Sequence, residues 1–531
     1  MRIRTALLPF ALTLACSTPA TQAGPAPAAD ATAQDAFGFG DTVLADQAAA
    51  ETADADADAD ADAAPDATVD VKPDAAPDLP PDVAADTKPD VADVPDTTAD
   101  VPVDTGPLDT VVDFGPDLPD TAVVPDTAPD VADNGLDPTP DVADVPDTGP
   151  KFGPFTKLGC AKKVNVNIEG TVNPYISPAR NGQFYVSYVA KGGDLMRHWE
   201  SPATCKTVEG PFQVNKTKGD VCYWLGIAVV SDPAGNFYAV WESETKNAEI
   251  SFAWSESGKT FSAPIELVST STNGQDPAIW VPEPGKVHAA WRGHHPTLKQ
   301  YDPYYALGTD MFAGKAFAKG TMVHGDAAQD DQVAIVTDSK RLIYFDWQSF
   351  DGDIFLSRST DAGKTWSAPK QVNDVTGKAN VGKATFLTVT PTDRVVMAWS
   401  DKRKAKSGNE NEVFGDSSAD GLTWGVDVQI NDDDARYQED PSLATGMVGA
   451  CKGVVYAVWQ DFRMKKSYDV YIARSLDGGL TWSKNEAVAG NLTGDEMNPA
   501  IAVDATCVIG VAWRDSVVNP NFDIGTACLK W

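Results

Sequence analysis

An eight-residue motif, S-x-D-x-G-x-T-W, occurs twice in this chain without deviation. In each copy the Ser and Asp side chains can hydrogen-bond to nearby backbone groups and hold a tight turn, while the glycine supplies a left-handed backbone conformation. The tryptophan then covers apolar surface, which contributes roughly 2–3 kcal/mol when the ring is well buried. A motif that both closes a turn and supplies a core residue strongly constrains the fold. Its structural residues are Ser359, Asp361, Gly363 and Trp366 in one copy, and Ser475, Asp477, Gly479 and Trp482 in the other.

Two weaker copies accompany them. Residues 417–424 keep the Ser, Gly, Thr and Trp but have Ala419 at the Asp position, and residues 255–261 match more loosely. The motif resembles the Asp-box, the bacterial neuraminidase repeat of the sialidase-like β-propellers, and the resemblance covers roughly residues 155–531. It implies a scaffold whose motifs lie at the turn between the third and fourth strands of a blade. A scaffold does not by itself imply an activity.

Seven strand-like runs, each ending in an aromatic residue, recur at intervals of 50 to 60 residues. Repeats of this size, built from short β-rich runs separated by turn signals, are typical of four-stranded propeller blades. We therefore predict an all-β fold for residues 151–531, a sialidase-like β-propeller of seven blades, with six as the alternative. The aromatic anchors are Tyr188, Trp241, Trp291, Trp347, Trp399, Trp459 and Trp513.

The ring is expected to close by joining the two ends of this region. The last repeat stops after a third strand at 523–529, and the stretch 163–168 matches the fourth strand of the other repeats. Pairing the two would remove an exposed sheet edge. Within the fourth repeat the pattern predicts strands at 332–337, 341–347, 353–359 and 370–373.

Six of the seven cysteines lie in the repeat region. Six cysteines allow fifteen pairings, and the blade register favours one of them in an exported protein, where disulfides persist. The spacing of Cys and His residues indicates no metal site, so we expect neither a metal nor a cofactor. The expected disulfides are Cys160–Cys528, Cys205–Cys222 and Cys451–Cys507.

Residues 1–23 are typical of an export signal, because Arg2 and Arg4 precede a short apolar run. Cys16 follows a segment that resembles a lipobox, so we expect Cys16 to carry lipid and the protein to be an outer-membrane or other cell-surface lipoprotein. The lipid would be its only link to a membrane. Cleavage near Ala23 is the alternative; it would remove Cys16 and give a secreted protein.

Residues 24–150 hold 32 acidic residues against Lys72 and Lys88. Such a segment cannot bury enough apolar surface to offset the entropy of ordering, so we predict a disordered, extended stalk. Of the total net charge of −35, only −7 belongs to residues 151–531. Neither part has the basic excess that nucleic-acid binding requires. The alternative to a simple stalk is specific calcium binding by the Asp repeats, although turn glycines and a bidentate Glu at fixed spacing are missing.

Polar residues recur in the connections from fourth to first and from second to third strands, which share one face of a propeller. Arginine binds carboxylates in bidentate fashion, so this face is a candidate pocket for an anionic or polyhydroxylated ligand at the mouth of the central channel. The alternative is that each arginine braces a carboxylate of its own blade. The candidate ligand residues are Arg292, Arg403, Arg463, Arg514, Asp276 and Asp440.

Sialidases of this family use an arginine triad, a Tyr–Glu nucleophile pair and an Asp acid/base. The resemblance does not extend to these groups, since residues 171–176 contain no arginine and no Tyr–Glu pair can be assigned. We therefore predict a surface protein that binds a glycan or a protein partner without catalysis. A glycoside hydrolase of exo-sialidase type, acting on extracellular glycans, is the alternative.

Overall fold

The computed structural model describes residues 153–530 apart from short gaps. The export signal, Cys16 and the acidic stalk lie outside the described residues and stay predictions. The gaps fall at 165–171, 180–181, 191–193, 201–206, 223–225, 244–248, 268, 270–271, 299, 327, 381–385, 407–409, 434–436, 490–493 and 519–520.

In these ranges the strands form seven antiparallel four-stranded sheets, six of them built from consecutive strands. Sheet 1 contains β2 (Val172–Pro178), β3 (Phe184–Ala190), β4 (Asp194–Glu200) and β5 (Thr207–Gln213). Sheet 2 contains β6 (Ile227–Ser231), β7 (Phe237–Ser243), β8 (Glu249–Ser255) and β9 (Ile265–Glu266). Sheet 3 contains β10 (Thr272–Glu283), β11 (Lys286–His294), β12 (Tyr301–Gly308) and β13 (Thr321–Met322). Sheet 4 contains β14 (Asp330–Thr337), β15 (Ile343–Ser349), β16 (Ile354–Ser359) and β17 (Lys370–Gln371).

The remaining sheets follow the same order, except for the last. Sheet 5 contains β18 (Phe386–Val389), β19 (Val395–Asp401), β20 (Glu412–Ser418) and β21 (Val428–Gln429). Sheet 6 contains β22 (Gln438–Thr445), β23 (Val455–Asp461), β24 (Asp469–Ser475) and β25 (Glu486–Ala487). Sheet 7 combines β26 (Glu496–Val503), β27 (Val508–Val518) and β28 (Asn521–Lys530) with the first strand of the described chain, β1 (Thr156–Val164). Two short 3₁₀ turns, Met311–Ala313 and Gly449–Cys451, are the helical elements of the described residues.

The strands of sheet 4 test the predicted boundaries. All four are present, and each begins or ends within two residues of the predicted position. The second strands of sheets 4, 5 and 6 are buried along all seven residues. A strand reads as a continuous apolar run when both of its faces are covered, and here neighbouring sheets cover them.

The seven anchor aromatics are fully buried within the second strands, two to five residues before the strands end. Three of the anchor indoles donate a hydrogen bond to a buried carboxylate: Trp399 Nε1 to Asp401 at 3.1 Å, Trp459 Nε1 to Asp461 at 2.9 Å, and Trp241 Nε1 to Asp220 at 3.3 Å. A buried indole N–H needs such an acceptor. The polar atoms of these three anchors are thus held by carboxylates next to their strands.

Each sheet packs against the next through its apolar residues. Val458 of sheet 6 shares a core cluster with Trp513 of sheet 7, and Phe184 of sheet 1 packs with Val508 of sheet 7. The first strands of neighbouring sheets contact one another throughout the series, including β26 with β2. The first strands therefore lie on the inside of the assembly and the fourth strands on the outside.

The expected pairing of the segment near Cys160 with the last strand is present. Ala161 lies opposite Ala527 and Val164 opposite Ile524, in antiparallel register. The strand occupies Thr156–Val164 rather than the predicted 163–168, of which residues 165–168 lie outside the described part. The side chain of Cys160 is also outside it, so the disulfide with Cys528 stays a prediction.

The disulfide between Cys451 and Cys507 is confirmed. Cys451 ends the 3₁₀ turn after β22 and Cys507 precedes β27, so the bond joins sheets 6 and 7. Cys222 is also disulfide-bonded. Its expected partner, Cys205, lies outside the described residues.

The turn after β16 shows what the repeated motif does. Ser359 Oγ accepts the amide of Gly363 at 2.9 Å, and Asp361 Oδ1 accepts the amide of Thr365 at 2.9 Å. Gly363 has φ 83°, and a Cβ there would lie 2.0 Å from the ring of Tyr305 in the preceding sheet. The glycine is therefore required both by its backbone conformation and by the close approach of a neighbouring ring.

The second full copy repeats these bonds. The amide of Gly479 donates to Ser475 Oγ at 2.8 Å, and the amide of Thr481 donates to Asp477 Oδ1 at 2.9 Å. Trp482, which ends this copy, is partly buried against the core shared by sheets 5 and 6. Trp366 of the first copy is likewise partly buried, between sheets 3 and 4.

The sequence alignment of the third copy was wrong by one residue. Ser418 Oγ accepts the amide of Gly421 at 2.8 Å, and Asp420 Oδ1 accepts the amide of Thr423 at 2.8 Å. The turn is therefore one residue shorter, and Ala419 does not occupy the Asp position. Ser417 instead accepts a hydrogen bond from Arg394 at 3.0 Å.

Candidate functional site

The candidate ligand residues lie at the edge of the sheets where the second strands end. The segments expected to be loops around Asp276 and Asp440 belong to the first strands β10 and β22, and Arg292 and Arg514 lie within β11 and β27. We call the residues directly after the anchors, together with the irregular positions of the facing first strands, the inner rim. Its members are Glu242, Arg292, Gln348, Ser400, Gln460, Arg514, Asp276, Asp331, Asp440 and Asn498.

Irregularities in the first strands keep these residues in the sheet. The register with the second strand shifts in β10, β22 and β26. At these shifts Asp276, Asp440 and Asn498 have φ values of 48°, 52° and 51°. Aspartate and asparagine tolerate this left-handed conformation better than most residues, and a bulge re-aims the side chain. These bulges explain why the segments read as loops in the sequence.

Arg292 is the centre of the inner rim. Its Nε lies 2.5 Å from Asp276 Oδ2 in the same sheet, and its Nη1 lies 2.8 Å from Asp331 Oδ1 in sheet 4. The guanidinium carbon lies 4.6 Å from the centre of the Tyr301 ring. Burial acts to lower the pKa of Arg292, but the two carboxylates outweigh it and raise the pKa. Arg292 therefore stays charged and binds sheets 3 and 4 together.

Further along the rim, neutral side chains make the corresponding links. Ser400 Oγ of sheet 5 accepts the amide of Asp440 in sheet 6 at 3.1 Å. Gln460 Oε1 of sheet 6 accepts the amide of Asn498 in sheet 7 at 2.9 Å. The side chains of Asn498 and Asp440 are joined at 3.2 Å. The first two links connect a residue after an anchor with the first strand of the next sheet, and the third joins the first strands of sheets 6 and 7.

Arg403 and Arg463 do not join the inner rim, which corrects the expectation that all four arginines surround the channel mouth. Arg403 Nη2 pairs with Asp401 at 2.6 Å and with Asp427 at 2.5 Å, and the guanidinium carbon lies 4.2 Å from the centre of the Phe414 ring. Asp427 directly precedes the fourth strand β21. Arg403 thus crosses the third strand toward the outer edge of its own sheet. Both of its partners belong to sheet 5, as the brace alternative expects.

Arg463 follows the same course in sheet 6. It pairs with Asp461 at 2.7 Å and with Asp432 of the neighbouring sheet at 2.9 Å, and it donates to Asn485 Oδ1 at 3.0 Å. Its guanidinium carbon lies 4.0 Å from the centre of the Tyr471 ring. We call these two arrangements the outer braces. Arg514, by contrast, directly follows Trp513 and occupies the position in β27 that Arg292 occupies in β11.

Sequence analysis did not identify two residues that lie near Arg292. Tyr301 begins β12, and Glu242 is the last but one residue of β7; both interact electrostatically with Arg292. Burial raises the pKa of Tyr301, and Glu242 and Asp276 act in the same direction, against the lowering by Arg292. Asn273 Nδ2 donates to the Tyr301 hydroxyl at 2.5 Å. No motif marks Tyr301 and Glu242, because they are far apart in sequence and belong to different sheets.

A second group of acids, also missed, lies between sheets 3 and 4. Asp302 and Asp330 are 0% and 2% exposed. Burial raises the pKa of Asp302 to about 6, and burial together with Asp326, Asp302 and Asp331 raises the pKa of Asp330 to about 8. Asp302 stands at the third-strand position that holds Glu412 in sheet 5, a recurrence that the sequence does show.

Among the described residues, no three His, Cys, Asp or Glu side chains are grouped so as to hold a metal ion. No helix in the same ranges is long and apolar enough to cross a membrane. The expectation that the protein binds no metal stays a prediction.

Comparison with known proteins gives similarity to carbohydrate-active enzymes. No protein-family model matches the chain. A sialidase of Clostridium perfringens is 24% identical over 199 residues, which cover 33% of this chain and 51% of that protein. The chain thus spans about half the length of this curated relative.

Solved structures with a similar course of the chain include a ulvan lyase of a polysaccharide-lyase family (15% identity, 67% of this chain and 93% of the other, TM-score 0.47). An α-L-arabinofuranosidase from Fusarium graminearum matches with 14% identity over 58% and 92% of the two chains, TM-score 0.42. A sialidase from Streptococcus pneumoniae matches with 8% identity over 68% and 93%, TM-score 0.33. No residue role is transferred from any of these proteins.

Proposed function

We propose that residues 151–531 form a closed, seven-bladed, sialidase-like β-propeller that binds a glycan or protein ligand at its inner rim without catalysis. The seven four-stranded sheets, the pairing of β1 with β28 and the contact of β26 with β2 support the ring. The repeated turn motif and the partial similarity to a sialidase support the family. The proteins matched in structure act on glycans, which is consistent with a glycan ligand.

The non-catalytic proposal rests on the carboxylate contacts of the arginines. Arg292, Arg403 and Arg463 each contact two carboxylates of the scaffold at 2.5–2.9 Å. Two of the three lie at the outer braces, so they do not converge with Arg292 on one point. An arginine cluster that holds a substrate carboxylate needs free bidentate donors. These guanidiniums are engaged in joining strands and sheets.

The alternative, a glycoside hydrolase, is favoured by one feature of the inner rim. Tyr301 and Glu242 lie near each other and near Arg292, as a tyrosine nucleophile with its carboxylate would. The surroundings raise the pKa of Tyr301, so its hydroxyl would need Glu242 as an adjacent base to act as a nucleophile. This pair alone does not bring the arginines together on one point, so the binding function is the better supported of the two.

A fluorogenic sialoside assay on the full chain separates these functions. We expect no turnover above the blank, and binding of oligosaccharides that is weakened by Arg292→Ala. The matched control is Arg403→Ala, which removes an outer brace and leaves the inner rim unchanged. Turnover by the wild type that disappears in Tyr301→Phe would establish the hydrolase instead.

We also propose that residues 1–23 export the protein and that Cys16 anchors it to a cell surface by lipid, with residues 24–150 as an extended stalk. Clustered apolar residues after Arg2 and Arg4 and the acidity of the stalk support this. Partition of the expressed protein into the detergent phase of a Triton X-114 extraction, lost in Cys16→Ser, would support the anchor. Equal partition of both forms into the aqueous phase would refute it and leave cleavage near Ala23.

A further inference from the structure

We infer that the inner rim selects an uncharged, hydroxyl-rich sugar over an acidic one. The inference rests on the proposed glycan binding and names its ligand class. It departs from the sequence-based expectation of an anionic or polyhydroxylated ligand by removing the anionic part.

The first reason is the charge of the rim. The inner rim holds four carboxylates, those of Glu242, Asp276, Asp331 and Asp440, against the two guanidiniums of Arg292 and Arg514, and the first three of these carboxylates surround Arg292. Burial raises the pKa of Asp276, and Asp331 adds to the effect although Arg292 opposes it. Burial is the larger cause, and the smaller contribution of Asp331 comes from a second carboxylate close to Asp276. A further carboxylate brought by a ligand would add to this like-charge repulsion.

The second reason is that Arg292 has little left to offer an anion. Two of its nitrogens are held by carboxylates and one face of the guanidinium lies on Tyr301. Its side chain is 17% exposed. A ligand carboxylate would have to displace Asp276 or Asp331, each of which would then be left buried beside a like charge.

The third reason is that the rim is rich in acceptors for hydroxyl groups. Asp440 is half-buried, so part of the residue faces solvent, whereas the side chain of Asp276 is only 11% exposed and is held by Arg292. Carboxylate oxygens accept hydrogen bonds from hydroxyls with the added strength of the charge. Asn498, also half-buried and bonded to Asp440, contributes an amide beside it. Such acceptors suit a neutral sugar, whose hydroxyls donate without bringing charge.

The test uses pairs of oligosaccharides that differ by an acidic residue, such as lactose with 3′-sialyllactose and a galactan fragment with an oligogalacturonate. Binding to the full chain is measured by isothermal titration at constant ionic strength. We expect the neutral member of at least one pair to bind about tenfold or more tighter than its acidic counterpart. Tighter binding of the acidic members would overturn the inference and leave the proposed function standing. Binding of no member of any pair would overturn both.

A pair of variants tests the cause. Asp276→Asn combined with Asp331→Asn frees Arg292, and we expect the preference for the neutral member to fall about tenfold. Asp427→Asn, which removes a carboxylate of similar burial from the outer brace, should leave the preference unchanged. If both variants change the preference equally, the selectivity does not come from the inner rim. Should the double variant fail to fold, Asp276→Asn alone provides the same comparison, because Asp331 then still holds sheets 3 and 4 together through Arg292.

Discussion

Replacing Asp330 by asparagine should remove a large part of the pH dependence of stability. In sheets 5 and 6 the carboxylate that accepts the anchor indole is neutralised by an arginine two residues later. In sheet 4 the acceptor for the Trp347 indole is Asp330, whose surroundings supply carboxylates instead. Its carboxyl group is 2% exposed and has a pKa raised to about 8 from 3.8. The folded protein therefore keeps a proton here that the unfolded chain releases.

The sign and size follow from proton linkage. Between pH 4 and pH 8 the folded state binds one more proton than the unfolded state at this site, so the free energy of unfolding falls as the pH rises. One proton corresponds to about 1.4 kcal/mol per pH unit, or about 4 kcal/mol between pH 5 and pH 8. The contribution is fully present below the unfolded pKa and is lost as the pH passes about 8.

Asparagine carries no proton to release, so Asp330→Asn should lack this slope. The assay is urea unfolding followed by tryptophan fluorescence at pH 5, 6, 7 and 8. Asp302, with a pKa of about 6, adds its own slope to both proteins, and the comparison of the two removes it. Asp310→Asn changes an exposed carboxylate and should follow the wild type. If the wild type and Asp330→Asn lose stability in parallel between pH 5 and pH 8, the reasoning is wrong.

Three further predictions concern the scaffold. Gly363→Ala should lower the free energy of unfolding by about 3 kcal/mol or more, because the added Cβ would lie 2.0 Å from a neighbouring ring. The control Gly453→Ala, at φ 84° with open space around it, should cost only about 1 kcal/mol. Equal losses in thermal melts would contradict the role of the clash. Changing Cys451 and Cys507 together to serine should cost about 2–4 kcal/mol, measured as a lower Tm in the absence of reductant; an unchanged Tm would show that the bond is not needed. Cys16→Ser should abolish metabolic labelling by an alkyne fatty acid, and persistent labelling would disprove the lipid site.

Much of the fold could be predicted from the sequence because the relevant signals are local and repeated. An aromatic residue toward the end of each second strand recurs in every repeat, and the two full copies of the turn motif make the same hydrogen bonds. The third copy of the motif was misaligned because Ser417 and Ser418 are adjacent, and only the bonds to Ser418 and Asp420 show which serine closes the turn.

The site was harder to predict because it depends on the direction of side chains. Arg292 directly follows its anchor, whereas Arg403 comes four residues after its own. The first position continues the strand and points to the inner rim, while the second follows a turn that carries the side chain back across the third strand. The difference in offset can be read from the sequence. Its effect on the direction of the arginine side chains could be interpreted only once the bulged first strands were known. The proximity of Tyr301 to Glu242 had no local signal at all.

The pairing of β1 with β28 in sheet 7 has a consequence for the chain during its synthesis. Its strand β1 ends at Val164, and the partner strand β28 begins at Asn521. A ribosome delivers the first roughly 350 residues earlier than the second, so throughout synthesis β1 presents an unsatisfied edge to other chains. Fragments that lack β28 would keep that edge open, and such products are therefore expected to aggregate more readily than chains that contain it.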